Sequence, residues 1–222
     1  MKKITHLSFV AIFFLLSVAV TQAQSSYKLE AGWNLVSADV VFAIAKDRNV
    51  CDRIMKDGAM FAFHPLEKKY YGGSGSCQKV EEGLEKIVPA LPNGDESAAA
   101  LGFWLYVPRE TPLGVDFSVA GGVESKYEKT NYQLRSGWNL IGITSLMPGK
   151  SLTDVRGSCS LETVYHFEHG RWFKQTAADL EEKLTNDSLG LAVAIKVAND
   201  CAFNFGNFGG SNSIPQIPNI PE

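Results

Sequence analysis

The stretch SGWNLIG, residues 136–142, repeats a string that already stands at 31–37 as AGWNLVS. The match extends upstream. Tyr27, Leu29, Gly32, Trp33, Asn34 and Leu35 recur, 105 residues later, as Tyr132, Leu134, Gly137, Trp138, Asn139 and Leu140. Self-similarity at this spacing marks a duplicated, domain-sized unit and takes precedence over any local motif.

The rest of the chain supports the duplication. AMFAFHPLEKKYY (59–71) answers TVYHFEHGRWF (163–173), matching Phe63 with Phe167, Tyr70 with Trp172 and Tyr71 with Phe173. An aromatic strand, a polar turn and a second aromatic pair read as a β-hairpin. Val80, Leu84, Ile87 and Val88 follow at helical spacing; Ala177, Leu180 and Leu184 do so in the second copy, where Thr176 and Asp179 offer a capping-box start. GFWLYVPRETPLGVDF (102–117) then lies over GLAVAIKVANDCAFNF (190–205) without a gap, as strand, turn and strand. No long helices alternate with parallel strands, which argues against a doubly wound sheet. The expected fold is α+β, mainly β: two tandem homologous small antiparallel-sheet domains, each with one or two short helices. They span 27–119 and 131–207. The charged, glycine-bearing stretch 120–130 reads as a linker. Residues 208–222, with three prolines at a spacing of three and little to bury, read as a disordered tail.

Strand alternation assigns the apolar rows. Trp33 and Leu35, and likewise Trp138 and Leu140, fall on one strand face and are expected in the core; the alternative is that the two Trp rings are exposed for sugar stacking. Phe103, Leu105 and Val107 align with Leu191, Val193 and Ile195, apolar in both copies and therefore core. Gly32 and Gly137 permit a sharp turn or a close backbone approach. Asn34 and Asn139 can hydrogen-bond to the backbone of a neighbouring turn.

Residues 1–23 read as an export signal: Lys2 and Lys3, an apolar run from Leu7 to Val20, then small residues before Gln24. The run is shorter than the roughly 20 residues that cross a bilayer, and no later segment is long or apolar enough, so no membrane span is expected after cleavage. A secreted or periplasmic location follows. Four Cys in an exported chain then read as two disulfides. Sequence alone permits three pairings, of which two independent domains favour Cys51–Cys77 and Cys159–Cys201. With 21 basic and 24 acidic side chains, the chain offers no electrostatic footing for nucleic acid.

The opening strand GWNLV (32–36) or GWNLI (137–141), the aromatic hairpin and the closing strand GFWLYV (102–107) resemble small tandem repeat domains of bacterial secreted, cell-surface and S-layer-associated proteins. The second copy departs from the closing motif, with GLAVAI at 190–195. The resemblance implies a non-catalytic module of the cell envelope and carries no catalytic residues.

Comparison of the copies isolates what the scaffold does not need. Trp104 and Tyr106 align with Ala192 and Ala194, so these two aromatics are the candidate contact residues for a glycan or a surface protein; packing on a helix or on the other copy is the alternative. HFEHGRW (166–172) gathers His166, Glu168, His169 and Arg171 in a turn, which reads as a solvated polar turn rather than a metal site. GGSGS (72–76) reads as a loop. No catalytic residues, metal or cofactor are expected. A hydrolase of cell-wall polymer and a protease inhibitor are the alternatives from other classes.

Overall fold

The computed structural model describes residues 25–87, 100–115, 132–144 and 146–204. The signal segment 1–23, the linker 120–130, the tail 208–222 and Val88 lie outside the described residues.

Each GWNL string is an edge strand, and each copy builds the same four-stranded antiparallel sheet around it. In the first copy β1 (Ser25–Leu29) leads into β2 (Gly32–Ser37). Helices α1 (Ala38–Lys46) and α2 (Arg48–Met55) follow, then the hairpin β3 (Ala59–His64) and β4 (Lys69–Ser74), helix α3 (Cys77–Leu84), and strands β5 (Gly102–Val107) and β6 (Thr111–Val115). The second copy has β7 (Tyr132–Leu134), β8 (Gly137–Gly142), α4 (Leu152–Val155), the hairpin β9 (Leu161–Glu168) and β10 (Arg171–Lys174), α5 (Ala177–Glu181), β11 (Ala192–Val197) and β12 (Cys201–Phe203). Sheet order is β2-β5-β3-β4 in one copy and β8-β11-β9-β10 in the other. Ribbons β1-β6 and β7-β12 flank them. The fold is α+β and mainly β, as the sequence predicts, with three helices rather than two in the described part of the first copy.

Strand pairing fixes the true alignment of the copies. Gly32 faces Val107 across β2–β5, and Gly137 faces Val197 across β8–β11. GFWLYV therefore lies over AVAIKV (192–197), two residues on from the gap-free alignment. Phe103, Leu105 and Val107 correspond to Val193, Ile195 and Val197, all buried. Leu191 is not a core residue: it precedes β11 and is 43% exposed, while its carbonyl accepts the Ile143 N–H at 2.8 Å. Trp104 now corresponds to Ala194 and Tyr106 to Lys196. Cys201 matches Thr111 rather than Leu113, since the two pair with Leu134 and Leu29.

The main core lies on the sheet face carrying Val36, Phe103 and Leu105 in one copy and Ile141, Val193 and Ile195 in the other. Val40, Ile44, Met55 and Val80 of α1–α3 belong to the same cluster. Buried residues of both copies form one continuous cluster, not two separate interiors. They meet where the ends of β2 and β8 cross. There Val36 bridges Leu191, Ile141 bridges Leu101, and Ser37 N–H donates to Gly190 O at 2.8 Å. The disulfides stay within copies, Cys51–Cys77 and Cys159–Cys201, and closing loops of these lengths stabilises by about 3–4 kcal/mol each in the chain-entropy estimate. Two such bridges suit an oxidising compartment. Among the described residues no helix is long and apolar enough to cross a membrane.

Glycine and asparagine in GWNL have separate duties. Gly32 and Gly137 have φ of 101° and 93°, with open space where a Cβ would stand, so the turn and not close approach requires them. Asn34 Nδ2 donates to the carbonyls of Glu30 (2.8 Å) and Gly32 (3.2 Å), and its Oδ1 accepts the Glu30 N–H. Asn139 repeats this pattern on Arg135 and Gly137. GGSGS is not a loop throughout: Gly72 and Gly73 lie in β4. A Cβ on Gly83 of α3 would stand 2.1 Å from Gly72 O, so the helix sits directly on the strand.

Asn139 is almost fully buried, so Asn139→Ala leaves backbone groups of the turn without partners and costs about 2 kcal/mol, read from the urea midpoint. Asp200 accepts the Ser136 N–H at 2.8 Å and pairs with Arg135 at 2.7 Å, and these bonds, the backbone one foremost, hold its carboxyl below the usual range. Its contribution is therefore complete above the unfolded carboxyl value and is lost as pH falls. The stability gap between the native chain and Asp200→Asn narrows as pH is lowered from about 6 to about 3.

Candidate functional site, an aromatic trough between the sheets

The face of each sheet opposite the main core carries rings. Alternation puts Trp33 and Leu35 of β2, Trp104 and Tyr106 of β5, and Phe61 and Phe63 of β3 on one side. In the second sheet it puts Trp138 and Leu140 of β8, Ala194 of β11, and Tyr165 and Phe167 of β9 there. These faces turn toward each other. Leu35, Leu140, Ala192 and Ala194 form a small buried cluster at the crossing, with Phe63, Trp104, Tyr165 and Phe167 packed around it.

Away from the crossing the faces diverge and leave two open hollows of about 580 and 520 Å³. Trp33, Phe61, Tyr70, Trp104, Phe167 and Trp172 line the first. Their counterparts in the other copy are, in order, Trp138, Tyr165, Trp172, Ala194, Phe63 and Tyr70. All six line the second hollow, with Leu140 and Trp104 added. The two hollows are thus one site seen twice by the duplication, and Tyr70, Trp104 and Trp172 belong to both, so together they make one trough. Every tryptophan of the chain lies in it.

Ring geometry is edge-to-face throughout the middle. Trp104 meets Phe167 at 4.8 Å and 83°, and Trp172 at 5.5 Å and 86°; Phe167 meets Trp172 at 5.2 Å and 73°. Trp33 stands beside Trp104 at 6.1 Å and Phe61 at 6.3 Å, and Trp138 beside Tyr165 at 5.9 Å. Such contacts hold rings in fixed planes and are worth about 0.5–1.5 kcal/mol each beyond burial. Trp33, Trp138 and Trp172 nevertheless remain 44%, 42% and 45% exposed, and Tyr70 56%. This exposed, contiguous ring surface makes the trough the candidate site.

Trp33 and Trp138 are therefore not core residues. The expected alternation holds, since each shares a face with a buried Leu, but that face is the trough wall, and the Trp lies at its open end. Leu29 and Leu134, upstream of each Gly, sit in the main core. Trp104 is half-buried at the trough centre, packed on rings of the other copy and lining both hollows. Tyr106 stands at the edge, against Trp33 at 5.3 Å.

The polar turn lies elsewhere. His166 and Glu168 alternate onto the side of β9 opposite Tyr165 and Phe167. They lie 3.7 Å apart, and the His166 ring stacks on Phe173 at 5.1 Å. His169 reaches the other copy, with Nδ1 2.7 Å from Glu30 Oε1. Among the described residues no group of His, Cys, Asp and Glu is placed to hold a metal ion. Among the described residues no carboxylate, imidazole, amine or guanidinium lines the trough. Trp172, Tyr70 and Phe167 appear in the sequence as hairpin aromatics; that the hairpins of both copies face one trough depends on the crossing, which no local pattern encodes.

Comparison of the chain with protein-family models, with curated proteins and with solved structures finds no match.

Trp104→Ala removes the shared wall of both hollows and three ring contacts while leaving Leu35 and Leu105 in place. A stability loss of about 2 kcal/mol is expected, below the range for a fully buried Trp. Tyr106→Ala is expected to cost less than about 1 kcal/mol. Both are read from chemical denaturation.

Proposed function

We propose that this chain is an exported, non-catalytic binding module of the bacterial cell envelope whose trough holds an extended, uncharged glycan. The observation that carries the reading is the composition of the trough: among the described residues nine rings, drawn from both copies, line it with no charged side chain between them. A charged ligand entering such a lining would lose hydration without gaining a partner. A sugar ring presents an apolar C–H face to an aromatic ring while its hydroxyls stay in water. An open trough suits a chain that passes through, whereas a small molecule needs enclosure. The disulfides, the export signal and the resemblance to cell-surface repeat domains support the location. The separation of His166 and Glu168 from the trough supports a binding role over hydrolysis.

The four tryptophans make the test direct, because all of them line this site and tryptophan emission reports on it. Titration with β-1,4-glucan, β-1,3-glucan and chitin hexasaccharides is expected to shift the emission for at least one of them. Trp33→Ala and Trp172→Ala are expected to weaken that binding at least tenfold, equivalent to about 1.4 kcal/mol. Release of new reducing ends, lost in Glu168→Gln, would overturn the non-catalytic reading. Failure of all three glycans alongside binding of an extended peptide would overturn the glycan assignment.

A further inference from the structure

The residues after Asn204 include FGNFGGSNSIPQIPNIP (205–221), which carries no charged side chain. Within it, Ile-Pro recurs at 214–215, 217–218 and 220–221. A spacing of three is the period of the polyproline II helix, which has three residues per turn and no internal hydrogen bonds. In that conformation Pro215, Pro218 and Pro221 form one edge, and Ile214, Ile217 and Ile220 a second. The third edge is Gln216, Asn219 and Glu222. Two apolar edges and one polar edge fit a ligand that lies in an open apolar trough and shows its remaining side to water.

We propose that residues 214–221 dock in the aromatic trough of the same chain, with the Ile and Pro edges on the rings and the Gln-Asn-Glu edge outward. This rests on reading the trough as a ligand site, though not on the glycan as its ligand. Aromatic grooves recognise proline-rich segments because the helix is stiff before it binds and loses little entropy. An uncharged lining and an uncharged segment cost each other no charge desolvation. The reach is sufficient. Phe203 pairs with Tyr132, and Asp200, in the turn before it, is bonded to Ser136. Trp138 at the mouth of the second hollow is two residues along from Ser136. Nine residues, 205–213, separate Asn204 from Ile214 and span up to about 30 Å. The docked segment itself extends about 25 Å, a length suited to two contiguous hollows rather than one. Seated there, it competes with any glycan for the same rings.

The test uses the full mature chain and a triple variant, P215G/P218G/P221G, whose substitutions fall outside the described residues of the fold. The probe is the synthetic peptide SNSIPQIPNIPE. Expected results are a change in tryptophan emission and in the four indole N–H resonances between the native chain and the variant, and binding of the peptide to the variant. Native chain should bind the peptide at least tenfold more weakly, because its own segment occupies the site. Identical indole resonances in the two chains, with no peptide binding, would overturn the proposal. So would tail-dependent dimers in sedimentation whose population tracks the emission change, which would place the segment on a second copy. A variant that binds a glucan or chitin hexasaccharide but not the peptide sinks this inference alone; one that binds neither sinks the glycan reading as well.

Discussion

The close crossing of the two sheets is the constraint on which the rest depends. A Cβ added to Gly102 would stand 2.9 Å from Ala192 Cβ, and one added to Gly142 would stand 2.9 Å from Ser37 Cβ. By strand register Gly102 corresponds to Ala192 and Gly142 to Ser37. Each contact therefore joins a residue to its own counterpart, which puts the pseudo-twofold axis between them. Backbone bonds from Ser37 N–H to Gly190 O and from Gly142 N–H to Ala100 O tie the strands at the same place. One partner in each pair is glycine and the other is small, so the backbones approach as closely as hydrogen bonding demands. Larger residues would hold the sheets apart, open the main core and splay the facing rings.

Close approach explains why two units this small share one core. The second copy, at under about 80 residues, buries too little to be robust alone. Here each copy contributes a disulfide, a sheet and its own ribbon, and the joint core adds what neither has separately. Tyr27 hydroxyl donates to Gly190 O at 3.1 Å and His169 pairs with Glu30, so the copies are also linked at the periphery. The copies have diverged mainly where the crossing does not constrain them. The first inserts α1 and α2 between β2 and β3, while the second covers the corresponding edge with one helical turn, α4.

Much of this was legible in the sequence, and the reasons are specific. The duplicated GWNL strands, the hairpins and the disulfide pairs followed from period-two alternation, turn chemistry and Cys counts within copies. The Asn side chain bound to the preceding turn was also anticipated. Three things were not legible. The sequence predicts one or two short helices per copy where the described part of the first copy has three, because the apolar positions of 38–55 serve contacts with β6 and with each other as well as a single sheet. The closing strands were set two residues out of register, because Gly190 imitates Gly102 in sequence while Ala192 occupies its place at the crossing. The register error put Leu191 in the core and paired Tyr106 with an alanine, where the fold pairs it with Lys196. Trp33 was assigned inward because a bracketed Trp on an apolar strand face normally has a core behind that face. Here the face looks onto a second sheet that diverges from it, and no residue near Trp33 records that divergence.

The surviving difference between the copies at the trough centre is Trp104 against Ala194. Were both tryptophan, the second ring would project toward Phe63 and Tyr70 as Trp104 projects toward Phe167 and Trp172, and the space lined by Trp138 and Tyr165 would shrink. Were both alanine, Phe167 and Trp172 would lose the ring that holds their planes. One of each gives a fixed wall shared by two open hollows, so two half-sites related by rotation become a single continuous path. The duplication supplies matched ends, and the asymmetry at one position supplies the passage between them. The length of the path is then set by the pair of copies, because neither sheet alone presents more than half of it.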